Sequence, residues 1–197
     1  MQESRLSHLG GKMLIAMPGI GDPRFARSVI FMCAHSDEGA MGLIINKPSP
    51  RITFPDLLEK LEIIGPGARI ELPRDITSKP VQTGGPVEAG RGFVLHTTDY
   101  VSAETTLPVD ANIGLTATLD VLRAIASGKG PRKSLMALGY AGWGPGQLER
   151  EISENGWLHC DADESLIFDV DCERRYEMAM GRIGIDPAML SSSAGHG

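Results

Sequence analysis

Two stretches, Ser28-Val29-Ile30-Phe31-Met32-Cys33-Ala34-His35 and Met41-Gly42-Leu43-Ile44-Ile45-Asn46, are apolar at nearly every position and rich in strand formers. Alternation would mark a half-buried strand; a continuous apolar run predicts strands covered on both faces. The turn-forming Ser36-Asp37-Glu38-Gly39-Ala40 lies between them, so the pair predicts a hairpin with a longer loop at the centre of a sheet.

The period then changes. Behind Thr53 as N-cap, apolar residues fall at Phe54, Leu57, Leu58 and Leu61, which predicts an amphipathic helix ended before Gly65-Pro66-Gly67. Residues 118–126 carry Leu119, Leu122, Ile125 and Ala126 on one side, with Gly128 as the stop. Pro145 suits the first position of a short helix that Asn155-Gly156 would close, and Asp171 would cap a last helix over residues 172–182. Shorter β-rich runs predict strands at residues 12–17, 92–96, 134–140, 157–160 and 165–170. Residues 65–80, rich in proline and charge, predict a surface excursion.

Composition narrows the function class more than the fold. The 197 residues suit one domain, expected over residues 12–186, with a flexible lead at 1–11 and a flexible tail at 187–197. Net charge is −6, and Arg174-Arg175 is the main basic pair, so direct nucleic-acid binding is not expected. Three cysteines, Cys33, Cys160 and Cys172, follow no framework spacing, which fits reduced thiols and a cytoplasmic protein. The apolar run Met13-Leu14-Ile15-Ala16-Met17 is too short for a signal segment or a membrane span.

The chemistry concentrates in residues 139–157, where Gly139, Gly142, Gly144 and Gly146 surround Tyr140 and Trp143 ahead of a charged helix. A phosphate loop would need Lys and Ser/Thr after its second glycine, but Pro145-Gly146 stands there. Glu149 and Glu151 would also occupy the positive end of the helix and repel an anion. What remains is either an aromatic pocket wall with Gln147 and Glu149 on its rim, or a structural corner. Cys33 and His35 would share a strand face about 6.6 Å apart, too far for a nucleophile–base pair. His159, Cys160, Asp161 and Cys172 lack zinc-type spacing, and no G-x-S-x-G elbow occurs. Asn46-Lys47-Pro48 ends a central strand, where a lysine can meet an anionic ligand. Gly84-Gly85-Pro86-Val87 demands an unusual backbone.

Leu14-Ile15-Ala16-Met17-Pro18-Gly19, Asp22-Pro23-Arg24-Phe25, the block from Cys33 to Pro48, Gly84-Gly85-Pro86-Val87 and Gly139 through Trp157-Leu158 resemble successive blocks of the YqgE/AlgH family. The resemblance runs over roughly residues 12–185 in the family's order and spacing. It implies a bacterial cytoplasmic protein of mixed α/β (α+β) fold, with a central mixed β-sheet partly folded on itself and about four flanking helices. It implies no known activity: members are uncharacterised, or labelled transcriptional regulators through a genetic link to alginate production. No helix-turn-helix is evident here, so a regulator of this sequence would act indirectly.

The expectation is therefore a non-catalytic binding or regulatory module for a small molecule or protein, of unknown oligomeric state. Its pocket would draw on Asn46, Lys47, Gly84, Gly85, Pro86, Tyr140, Trp143, Gln147 and Glu149. No catalytic residue, metal ligand or cofactor is assigned. An enzyme using Lys47, Glu149 or His35 is the alternative.

Overall fold

The computed structural model describes residues 8–191. In chain order its strands are β1 (Lys12–Ala16), β2 (Val29–Ser36), β3 (Gly39–Ile44), β4 (Pro48–Thr53), β5 (Pro80–Thr83), β6 (Val87–Thr97), β7 (Thr106–Pro108), β8 (Ile113–Thr116), β9 (Ser134–Trp143) and β10 (Trp157–Asp161). The helices are α1 (Phe54–Lys60), α2 (Arg74–Thr77), α3 (Leu119–Ala126), α4 (Gln147–Ser153), α5 (Cys172–Arg182) and α6 (Pro187–Ser191). The strands form one curled mixed sheet in the order β10-β1-β2-β3-β9-β6-β8-β7, with β5 and β4 branching from β9. Every pairing is antiparallel except β5 with β9.

The continuous apolar runs behave as expected. Along β2, Val29 and Phe31 enter a core shared with Tyr176 and Met180 of α5, while Ile30 and Met32 enter another shared with Leu148 of α4. A third core lies under α1 and α3. The β2–β3 hairpin is tighter than predicted, because Ser36 pairs with Gly39 and only Asp37 and Glu38 turn. A register shift between Met32 and Ala34 breaks the alternation. Cys33 thus lies in the first core while His35 reaches Glu149 on α4, so the two do not share a face as the unbroken strand implied.

Local signals held where side chains could cap. Thr53 Oγ1 accepts the Asp56 amide hydrogen at 3.2 Å, and Asp56 Oδ2 accepts that of Thr53 at 2.8 Å, a closed capping box on α1. On α3 the buried face is Val121, Leu122 and Ile125, with Leu119 exposed. Residues 165–169 are one π-helical turn rather than a strand; Asp163 Oδ1 accepts the Leu166 amide hydrogen at 2.7 Å and starts the turn. An apolar triplet is too short for periodicity to separate the two. Of the expected lead, residues 1–7 lie outside the described residues, and Leu9 is 2% exposed in the α4 core. Of the expected tail, residues 187–191 form α6 and 192–197 lie outside the described residues.

The largest departure concerns residues 141–143. No turn follows the expected strand at Tyr140; β9 runs on to Trp143 and changes partners on the way. Residues 136–138 pair with β5 and residues 141–143 with β3, both along the same edge, while β6 holds the other edge. The change is possible because β5 runs on into Gly84-Gly85, which crosses β9 in backbone contact. A Cβ on Gly85 would lie 2.0 Å from the Tyr140 carbonyl carbon, and one on Gly139 (φ +74°) 2.4 Å from the Gly85 oxygen. Gly146 has a similar φ of +70° but open space around it. Gly139→Ala should cost about 3 kcal/mol or more, strain and overlap together, and Gly146→Ala only about 1–2 kcal/mol. Urea unfolding of both variants measures the gap; equal losses would remove the crossing from the account.

Candidate functional site

Past the crossing, β9 ends in Trp143 and the chain turns through Gly144–Gly146 into α4. Helix α4 begins at Gln147, with Gly146 as a left-handed N-cap, so Pro145 lies outside it. Its C-terminus closes as a Schellman motif: the Asn155 amide donates to Ile152 O at 3.0 Å and the Gly156 amide to Glu151 O at 2.8 Å. Two fixed ends hold Glu151 between the tryptophans. Its Oε2 accepts the indole hydrogens of Trp143 (3.0 Å) and Trp157 (2.8 Å), and its Oε1 accepts Gln147 Nε2 (2.9 Å). Gln147 Oε1 in turn accepts the Gly144 amide hydrogen at 3.0 Å. The two indoles meet edge to face at 5.9 Å, and Phe25 meets Trp157 the same way at 5.6 Å. One carboxylate thus ties β9, α4 and β10 together.

Trp143, 7% exposed, stands between two cavities. The first, about 720 Å³, is an open groove walled by Met41, Val87, Phe93, Leu107, Leu115 and Tyr140. Tyr140 stacks edge to face with Phe93 at 5.8 Å, and Arg91 lies over Phe93 at 5.1 Å. Among the described residues the Tyr140 hydroxyl has no hydrogen-bond partner, and Thr105 Oγ1, also on the groove wall, is buried without one. The second cavity, about 530 Å³, lies between the segment around Asp22–Phe25 and α4, walled by Pro86, Trp143, Gln147, Glu151 and Trp157.

The expected pocket residues thus divide. Tyr140 and Trp143 line the groove; Pro86, Trp143 and Gln147 line the second cavity. Gly84 and Gly85 are buried in the crossing and line neither. Asn46 holds the sheet: its Oδ1 accepts the Val29 amide hydrogen at 2.9 Å and its Nδ2 donates to Arg27 O at 2.8 Å. Lys47 Nζ donates to Arg24 O at 2.8 Å; burial lowers its pKa, with nearby Asp22 opposing. Glu149 Oε1 accepts His35 Nε2 at 2.7 Å. His35 Nδ1 accepts the Leu9 amide hydrogen at 3.2 Å, so its proton sits on Nε2 and its side chain, 1% exposed, is closed to substrate. The groove residues Met41, Phe93, Leu107 and Leu115 were not among the expected pocket residues, and Glu151, read only as a charge at the helix end, is the latch between the indoles. For Glu151 a signal existed, a carboxylate spaced between two tryptophans.

Below the groove floor lies a buried polar chain. His96 Nδ1 donates to Thr97 O (3.0 Å), Thr116 donates to His96 Nε2 (2.7 Å), and Thr106 donates to Thr116 (2.9 Å). Burial lowers the pKa of His96 from its usual 6.5, against smaller opposing contributions from Thr97 and Asp99.

This arrangement has relatives. A family model described as AlgH-like, DUF179, matches residues 13–188. The chain belongs to the AlgH-like family. A UPF0301 protein of Rhodopseudomonas palustris strain HaA2 is 58% identical over 189 residues, covering 96% of this chain and 87% of that one. A UPF0301 protein of Bradyrhizobium diazoefficiens is 58% identical over 193 residues, covering 98% and 90%. The solution structure of the AlgH protein from Pseudomonas aeruginosa aligns with a TM-score of 0.77 at 42% identity, covering 98% of this chain and 97% of that one. A crystal structure of a Corynebacterium diphtheriae protein shares the fold at a TM-score of 0.68 and 21% identity, covering 92% and 90%. Among the described residues of the AlgH-like chain, no helix is long and apolar enough to cross a membrane.

Glu151→Ala would strand two buried indole hydrogens at a cost of about 2–4 kcal/mol in all, visible in urea unfolding and as a shift of tryptophan emission. An unchanged midpoint and spectrum would remove the latch. For His96, unfolding exposes a ring that binds protons more readily than the folded one. Its stabilising contribution is therefore present above pH about 6.5 and is lost as pH falls toward the lowered folded value. A ring NMR titration midpoint at or above 6.5 would contradict this.

Proposed function

We propose that this AlgH-like protein is a non-catalytic binding module whose groove receives an apolar segment of a partner protein. The observation that carries the reading is the groove's unfinished wall. Leu107 stands 50% exposed on it, and the same groove is lined by Tyr140, whose hydroxyl has no partner among the described residues. Enclosed sites bury most of a small ligand, whereas an open apolar cleft with polar groups at its margin suits a chain segment. Glu38 and Arg91 on the lining offer charges of both signs to the flanks of such a segment. Among the described residues, no nucleophile hydrogen-bonded to a base faces the groove, which favours binding over catalysis. Three unpaired cysteines suit a cytoplasmic setting, and with a net charge of −6 an effect on transcription would pass through this protein contact rather than through DNA.

The test screens a library of amphipathic peptides against isotope-labelled full-length chain. Selected peptides should shift amide signals in β3, β6, β8 and the end of β9. Leu107→Lys, at a position already half exposed, should weaken them about tenfold or more. Shifts confined to the second cavity, or binding indifferent to Leu107→Lys, would overturn the proposal.

A further inference from the structure

On the side of the fold where α5 begins, the side chains of Gln82, Cys172 and Arg175 meet. Arg175 is 5% exposed, and its Nη1 donates to Ile45 O. No acidic side chain among the described residues pairs with it, and its Nε is buried without a partner. Asp171 and Asp169 oppose the cost of burying this guanidinium only by attraction without an ion pair, so the side chains it touches matter. After Ile45 O, the next acceptor is the Cys172 sulfur, 3.5 Å from Nη1. Gln82, 0% exposed on β5, aims its Nε2 at the same sulfur at 3.1 Å and leaves its Oε1 without a partner. Cys172 is also the first residue of the 11-residue α5, whose N-cap residue Asp171 makes no side-chain cap.

A neutral thiol is a weak acceptor, yet two buried donors converge on it at a helix N-terminus. Two donors and the helix start thus face the sulfur, with the carboxylates of Asp171 and Glu173 beside it in the chain; donors of this kind favour the anionic form that attacks electrophiles. We infer that Cys172 is a nucleophilic site for small electrophiles, low-molecular-weight peroxides foremost, with Gln82 and Arg175 as positioning residues. In the reaction the sulfur anion attacks one peroxide oxygen. The S–O bond forms as the O–O bond breaks, hydroxide leaves, and sulfur is oxidised to the sulfenic acid while the peroxide is reduced. A sulfenic acid carries one acceptor oxygen and one donor hydrogen, and the unpartnered atoms on its two neighbours are one donor, Arg175 Nε, and one acceptor, Gln82 Oε1.

The molecule supplies its own controls. Burial alone pushes the Cys33 thiol up to about 12, and burial is also the main influence raising half-buried Cys160. Full-length native protein is treated with limiting iodoacetamide, and each cysteine is followed by peptide mass spectrometry. Cys172 should alkylate about tenfold or more faster than Cys160, and after hydrogen peroxide it should be the cysteine trapped by dimedone. Gln82→Leu should slow Cys172 about threefold or more and leave Cys160 unchanged; Arg175→Lys, checked for folding by circular dichroism, should act in the same direction. The comparison within the unmodified chain stands even if neither variant folds. Equal rates at Cys172 and Cys160, no dimedone adduct at Cys172, or a Cys172 rate indifferent to Gln82→Leu would each overturn the inference and leave an ordinary thiol.

Discussion

The fold turns on a backbone contact that no side chain can enter. Where Gly84-Gly85 crosses β9 at Gly139-Tyr140, two strands approach so closely that even a methyl group would overlap main-chain atoms. That contact lets one strand edge serve β5 first and β3 next. Without it the wing built on β1–β3 and the wing built on β6–β8 would share no strand. The groove between them exists because β9 carries Tyr140 and Trp143 just past the crossing, at the point where the sheet curls.

Elements governed by local rules were legible in the sequence. The apolar runs of β2 and β3, the Thr53 cap and the helical spacing of α3 each depend on neighbours a few residues away; α5 was expected from a cap by Asp171, whose side chain makes none. What failed depended on partners far along the chain. The strand was expected to stop at Tyr140 because glycines are dense from Gly139 onward, yet Gly139 and Gly142 answer to Gly85, Val87 and β3 rather than to a turn. Strands β4, β5, β7 and β8 were missed: β5, β7 and β8 have only three or four residues, and β4, β5 and β7 contain proline.

The candidate site divides on the same line. Aromatic residues beside glycines marked Tyr140 and Trp143, and the structure puts both on cavity walls. Asn46 and Lys47 were chosen for their place at a strand end, but their polar atoms are used in holding the 22–29 segment to the sheet. Glu149 and Glu151 differ by two positions and face different duties, one on His35 and one on both indoles. Only the turn of α4 decides which is which.

The dual pairing of β9 also sets an order of events at the ribosome. Strands β1–β3 and β6–β8 leave the exit tunnel well before residue 134, and each group then exposes an inner edge whose partner is still unmade. The nascent chain must hold two apolar half-sheets apart until one later strand arrives to close both at once. Such long-range closure is slow and leaves strand edges open to association with other chains. Synthesis halted before Trp143 would therefore release two sticky fragments of sheet rather than a smaller folded protein, which makes the final third of the chain the part its early translation depends on.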